Sequence, residues 1–168
     1  NLPIAKGSRV LMIEGEFPSL ALVWPELAAA AGATVRVVPR PADADWTSAI
    51  LEAIERPGAP PIGLAALTPL HWSDGALIDL ARICPALHRQ GARIVIDATQ
   101  SAGVLHLDLA ALKPDFLAFP TYNGCSAPIR WPSSTSPPST RTARRWRTMA
   151  PPASPAPTAT SPPPAAST

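Results

Sequence analysis

Five short apolar runs, separated by stretches of helical spacing, occupy the first 120 residues. That alternation leaves few folds open. The runs 9–13, 34–38, 62–67, 93–97 and 115–119 predict strands, because Val and Ile pack well on a pleated surface. Between them, 20–31 is rich in Ala and Leu and stops at Gly32, and 46–56 carries Ile50, Leu51 and Ile54 on one face behind Asp45 as a candidate N-cap. Leu77, Leu80, Ala81, Cys84 and Leu87 predict a helix over 75–90 that stops at Gly91, with Pro85 expected to kink or interrupt it. A short helical piece follows at 108–113. Strands with apolar interiors, joined by helices, imply an α/β fold with a mostly parallel sheet covered on both faces. Ligands of such sheets sit beyond the carboxyl ends of the strands, here 67–73, 97–101 and 120–123. Glu14-Gly15-Glu16-Phe17-Pro18 follows the first strand in place of a glycine-rich loop, which disfavours a nucleotide-binding Rossmann domain.

The alternation ends abruptly. Of residues 124–168, 34 are Ala, Pro, Ser or Thr, and no apolar periodicity persists. Such a segment cannot bury enough surface to offset its ordering entropy, so 123–168 is expected to be a disordered tail. Charge divides at nearly the same place. All 12 acidic residues lie in 1–115 against 9 basic ones, while 116–168 has 5 basic residues and no acid, so the net +2 describes neither part. The longest apolar stretch, 20–35, is broken by Pro25, Glu26 and Gly32, which argues against a membrane span. A cytoplasmic location is the expectation. The start at Asn1, with neither an initiator methionine nor a basic-then-apolar leader, suggests a fragment. Cys84 and Cys125 are far apart and lack His or Cys partners at metal spacing, so neither a zinc site nor a disulfide framework is expected.

Asp97 is the most informative single position. A carboxylate ending a buried apolar strand is costly unless a positive or hydrogen-bonding group meets it, and a cationic ring nitrogen would serve. A cap or turn role for the Thr99-Gln100-Ser101 segment accounts for it equally well.

The run Ile94-Val95-Ile96-Asp97-Ala98-Thr99-Gln100-Ser101-Ala102-Gly103, then Leu107-Asp108, then Pro114-Asp115-Phe116-Leu117-Ala118-Phe119-Pro120-Thr121-Tyr122, resembles the pyridoxal-phosphate-dependent class V aminotransferases. That family includes cysteine desulfurases, kynureninases and isopenicillin N epimerase-like enzymes. Upstream, Glu14-Gly15-Glu16-Phe17-Pro18-Ser19, Trp24 with Glu26-Leu27-Ala28, Val37-Val38-Pro39 and His71-Trp72-Ser73-Asp74-Gly75 are similar too. The resemblance covers residues 8 to 122 and implies part of the large domain of a fold-type-I enzyme, usually a homodimer, acting on an amino acid.

It also implies roles residue by residue. Asp97 would pair with the protonated pyridine nitrogen of pyridoxal phosphate and Gln100 would hydrogen-bond its phenolic oxygen. His71 or Trp72 would lie beside the same ring, although capping or packing explains either as well. Tyr122 would reach the cofactor phosphate, with Thr121 assisting. The next residue in the family is the Schiff-base lysine, and this chain has Asn123, which can neither bond the cofactor covalently nor shuttle a proton. The chain is therefore expected to be inactive. The small domain that helps hold the substrate carboxylate in the family is not recognisable.

Gly124-Cys125-Ser126-Ala127-Pro128 also departs from the family's lysine, tryptophan, two apolar residues, glycine and proline. Residues 123–129 can be encoded as AAT GGC TGC TCG GCC CCT ATC. One purine inserted after the second base gives AAA TGG CTG CTC GGC CCC TAT, which reads lysine, tryptophan, leucine, leucine, glycine, proline, tyrosine. A frameshift at Asn123 is thus compatible with the sequence. Arg141, Arg144, Arg145 and Arg147 with Trp131 and Trp146 could form a nucleic-acid-binding arm. Out-of-frame translation of a GC-rich gene yields the same bias, so no nucleic-acid partner is expected. The remaining alternative is a non-catalytic α/β interaction module with a basic disordered tail.

Overall fold

The structure is a computed structural model and describes residues 2–120. Five strands, β1 (Arg9–Ile13), β2 (Thr34–Val38), β3 (Ile62–Leu67), β4 (Arg93–Asp97) and β5 (Phe116–Ala118), form one sheet in the order β2-β1-β3-β4-β5. Every pair is parallel. The expected strands at 9–13, 34–38, 62–67 and 93–97 coincide with β1 to β4, while the fifth is shorter than 115–119.

Both faces of the sheet are covered, so β1 is buried at all five positions. Leu11, Ile13, Ala65, Leu67, Ile94 and Ile96 face α3 (Trp46–Glu55) and α4 (Leu80–Arg89) in the larger core. Val10, Met12, Leu64, Ala66 and Val95 face the opposite way, toward Leu20 of α1 (Pro18–Ala21) and Trp24 and Ala28 of α2 (Val23–Ala31). This is the period-2 alternation of a strand realised as two separate cores.

The helices differ from expectation in instructive ways. A single helix over 20–31 becomes α1 and α2, which meet at Leu22. Pro25 has no N–H for the Ala21 carbonyl and its ring crowds that group, and α1 ends at Ala21. Asp45 caps α3 as expected, its carboxylate accepting from the Ser48 N–H at 3.0 Å. Those bonds with Ser48 hold the Asp45 carboxyl below its ordinary value.

The helix expected from residue 75 starts only at Leu80, because Asp79 is its N-cap and accepts from the Arg82 N–H at 3.2 Å. Leu77 instead pairs with Leu70 in an isolated antiparallel bridge and is 63% exposed. Pro85 does not interrupt α4. Leu80, Ile83, Cys84, Ala86 and Leu87 are all buried, and that packing outweighs one missing backbone bond. The helical piece near 108–113 is α5 (Leu109–Leu112), capped by Asp108.

No helix among the described residues is long and apolar enough to cross a membrane. The expected tail at 123–168, with Cys125 and the arginines, lies outside the described residues.

Candidate functional site

The strand order creates a switch point. From β1 the chain passes to β2 on one side and then returns to β3 on the other, so the loops leaving β1 and β3 diverge at the carboxyl edge, where open parallel sheets bind ligands. Glu14, Gly15, Glu16 and Phe17 follow β1, His71, Trp72, Ser73 and Asp74 lie beyond β3, and Asp97 ends β4. Gly15 has φ of +73°, a conformation that favours glycine, and it turns the first loop back over the His71 ring. Its carbonyl accepts the Trp72 indole N–H at 2.6 Å.

His71 is fully buried. Its ring stacks on Trp46 with centroids 4.9 Å apart, Nε2 lies 3.1 Å from the Glu14 carbonyl, and Nδ1 lies 3.2 Å from Ser73 Oγ and 3.1 Å from Asp74 Oδ1. Both ring nitrogens are thus engaged within the protein, in a packing and loop-fixing role. Asp74 also receives the Arg40 guanidinium at 2.8 Å and the Trp46 indole at 3.2 Å. Burial works against its ionisation, yet the Ala76 amide, the Trp46 indole, His71 and Arg40 outweigh this and hold the carboxyl below its usual range. Arg40 further donates to Ser73 Oγ at 2.9 Å, and its backbone N–H to Glu14 Oε2 at 2.7 Å. This network joins the loops after β1, β2 and β3 into one rim.

Trp72 sits on the open side, 47% exposed and edge-on to Phe17 at 5.6 Å. Asp97 is half-buried, and Oδ1 accepts from both the backbone N–H and the hydroxyl of Thr99. The turn role is therefore real. It occupies Oδ1 only, and among the described residues Oδ2 takes no hydrogen bond. Gln100 is exposed in the turn that follows. Thr121, Tyr122 and Asn123 lie outside the described residues.

One residue of this edge had no role assigned from sequence. Glu16 Oε2 accepts its neighbour's Phe17 N–H at 3.0 Å, but Oε1 is buried without a hydrogen-bond partner. Burial raises the Glu16 carboxyl above its ordinary value, the Phe17 amide and His71 oppose that, and Asp97 adds to it. The one available clue was position, an acid just past the carboxyl end of a central strand.

The opposite edge is less suited to chemistry. A shallow recess of about 280 Å³ there is lined by Pro3, Ser8, Gln90 and Arg93 among others. Gln90 already bonds Ile62 and Ile54, and Arg93 is paired with Asp115 at 2.6 Å, so its polar groups are spent on the fold. No cluster of metal-ligating side chains occurs among the described residues.

The carboxyl edge fits a ring that carries a proton on nitrogen. Of its four carboxyl groups, those of Glu14 and Asp74 are engaged by Arg40, Glu16 has a buried unpartnered oxygen, and Asp97 ends β4. Comparison with known proteins points the same way. Isopenicillin N epimerase of Amycolatopsis lactamdurans is 28% identical over 116 residues, covering 68% of this chain and 29% of that protein. The cysteine desulfurase of Dickeya dadantii is 32% identical over 115 residues, covering 67% and 27%. The chain thus spans under a third of the length of these curated relatives. Among solved structures, a C-DES variant with glycine covalently linked to its pyridoxal-phosphate cofactor superposes with a TM-score of 0.63 at 27% identity, over 76% of this chain and 34% of that one. The family model for aminotransferase class V matches residues 1–125, and the chain belongs to the class V aminotransferase family.

Proposed function

We propose that residues 1–122 are the ring-contacting part of the large domain of a pyridoxal-phosphate-dependent enzyme that acts on an amino acid, and that the chain is not catalytic by itself. The observation that carries this reading is Asp97, a half-buried carboxylate at the carboxyl end of β4 whose Oδ2 takes no hydrogen bond among the described residues. When bound, the cofactor supplies an electron sink for the substrate's α-carbon. Asp97 would hold the protonated ring nitrogen and Gln100 the phenolic oxygen. Trp72 would wall the open side, His71 would fix the loops that carry these groups, and Thr121 and Tyr122 would reach toward the phosphate. Asn123 stands where the family's lysine is expected, which removes both the covalent anchor and the proton shuttle. Homodimerisation is part of the same reading.

The test is titration of the purified chain with pyridoxal phosphate. Saturable binding that Asp97→Ala abolishes is expected, with no borohydride-stable adduct in the site. Lys6 and Lys113 are the chain's two lysines, so peptide mapping separates their adducts from any other. Binding that survives Asp97→Ala would favour a non-catalytic interaction module instead. Resequencing the gene across the Asn123 codon tests the frameshift: a missing purine is expected, and a true Asn codon in an unbroken frame rules it out.

A further inference from the structure

Arg40 lies in the loop after β2, yet it is tied to the loops after β1 and β3 at once. Its backbone N–H donates to Glu14 Oε2 at 2.7 Å. Its Nη2 donates to Ser73 Oγ at 2.9 Å and lies 2.8 Å from Asp74 Oδ2. Folding stability does not account for this arrangement. The Arg40 side chain is 51% exposed, and an ion pair so open to water contributes little to the fold. The strut is nevertheless well founded in the chain. Arg40 stands between Pro39 and Pro41, and a residue before proline is confined to extended backbone, so the base of its side chain is fixed.

The beneficiary is Trp72. On one side, His71 Nε2 lies 3.1 Å from the Glu14 carbonyl and the Trp72 indole itself donates to the Gly15 carbonyl, which pins the loop after β3 to the loop after β1. On the other side, Ser73 and Asp74 are pinned by Arg40 to the loop after β2. A half-exposed indole fixed from both sides is ordered before a ligand arrives, so less freedom is lost on binding. We propose, resting on the cofactor reading above, that Arg40 is a positioning residue of the ligand site, which touches no ligand and acts through Ser73 and Asp74 to keep Trp72 in place.

The experiment is calorimetric titration of the full chain with pyridoxamine 5′-phosphate and with pyridoxamine, which lack the aldehyde and so form no adduct with Lys6 or Lys113. Arg40→Ala should weaken both ligands to the same extent, on the order of fivefold, the scale of one side chain that must be ordered on binding. The thermal midpoint should stay nearly unchanged. Arg40→Lys, which keeps the charge and can reach Asp74, should recover part of the loss. In a Trp72→Phe background the Arg40→Ala effect should largely vanish, because the two changes free the same loop. Unchanged affinity in Arg40→Ala overturns the inference, as does an effect of full size in the Trp72→Phe background. A loss confined to the phosphorylated ligand also overturns it, by marking Arg40 as a direct phosphate contact. If wild type binds neither compound saturably, the cofactor reading itself falls and this inference with it.

Discussion

The Trp72 indole donates to the Gly15 carbonyl at 2.6 Å, closing the loop after β3 onto the loop after β1. The bond bridges the switch point of the sheet, and its acceptor sits on a left-handed glycine. Trp72→Phe keeps the ring against Phe17 and removes the donor. The fold should lose about 0.5–1.5 kcal/mol, the net worth of one hydrogen bond. Pyridoxal-phosphate affinity should fall further than stability does, because the loops drift apart. Urea unfolding and ligand titration on the same variant measure both.

Asp97 serves the turn through Oδ1, and its proposed ligand contact needs negative charge. Asp97→Asn separates these roles, since an amide oxygen still accepts from the Thr99 N–H. Stability should change by less than about 0.5 kcal/mol. Affinity for pyridoxal phosphate should drop about tenfold or more, corresponding to at least about 1.4 kcal/mol. Equal losses in both would make Asp97 a turn residue only.

Gly63 in β3 has no room for a side chain. A Cβ there would lie 2.3 Å from Ser8 Oγ and 2.8 Å from Ser8 Cβ. The hydroxyl can rotate away but the Cβ cannot. Gly63→Ala should destabilise the fold by about 1–3 kcal/mol, the usual range for overpacking. Adding Ser8→Gly should recover much of that loss, whereas Ser8→Ala should not; thermal melts of the three variants decide it.

Burial raises the Glu16 carboxyl in the folded state. The folded chain therefore binds more protons than the unfolded one between the ordinary and the raised value, and stability attributable to Glu16 falls as pH rises through that window. Other acids shift the opposite way, so the useful quantity is a difference. The urea midpoint of wild type minus that of Glu16→Gln should decline as pH rises above the ordinary glutamate value. A flat difference contradicts this.

Cys84 is fully buried on α4, and burial pushes its thiol up to about 11. It should resist alkylating reagents at neutral pH in the native state and react on unfolding. Cys125 provides an internal comparison, since peptide mapping reports the two thiols separately.

The strands were legible because each is an apolar run bounded by turn residues, and 9–13, 34–38, 62–67 and 93–97 coincide with β1 to β4. Asp45 was legible as a cap because capping is local. The misreadings were also local patterns, overruled by packing or by a proline. Leu77 stands in helical phase with Leu80 and Cys84, yet Asp79 caps α4 after it and the Leu70 bridge holds it outside. Pro85 looked like a helix breaker, but five buried neighbours keep α4 whole. Glu16 was hidden because a charged residue in a loop looks solvated until its surroundings are known.

By itself the sequence determined the element order, the parallel α/β class and the placement of Asp97 at a carboxyl edge, since periodicity and capping act over a few residues. The tertiary structure decided which loops meet. The order β2-β1-β3-β4-β5 follows from helices packing on both faces of a twisted sheet, a relation among residues far apart in the chain. That packing makes neighbours of Gly15 and Trp72, and sets Gly15 against the His71 ring. It also shuts one carboxyl oxygen away from water, since desolvation depends on everything surrounding an atom.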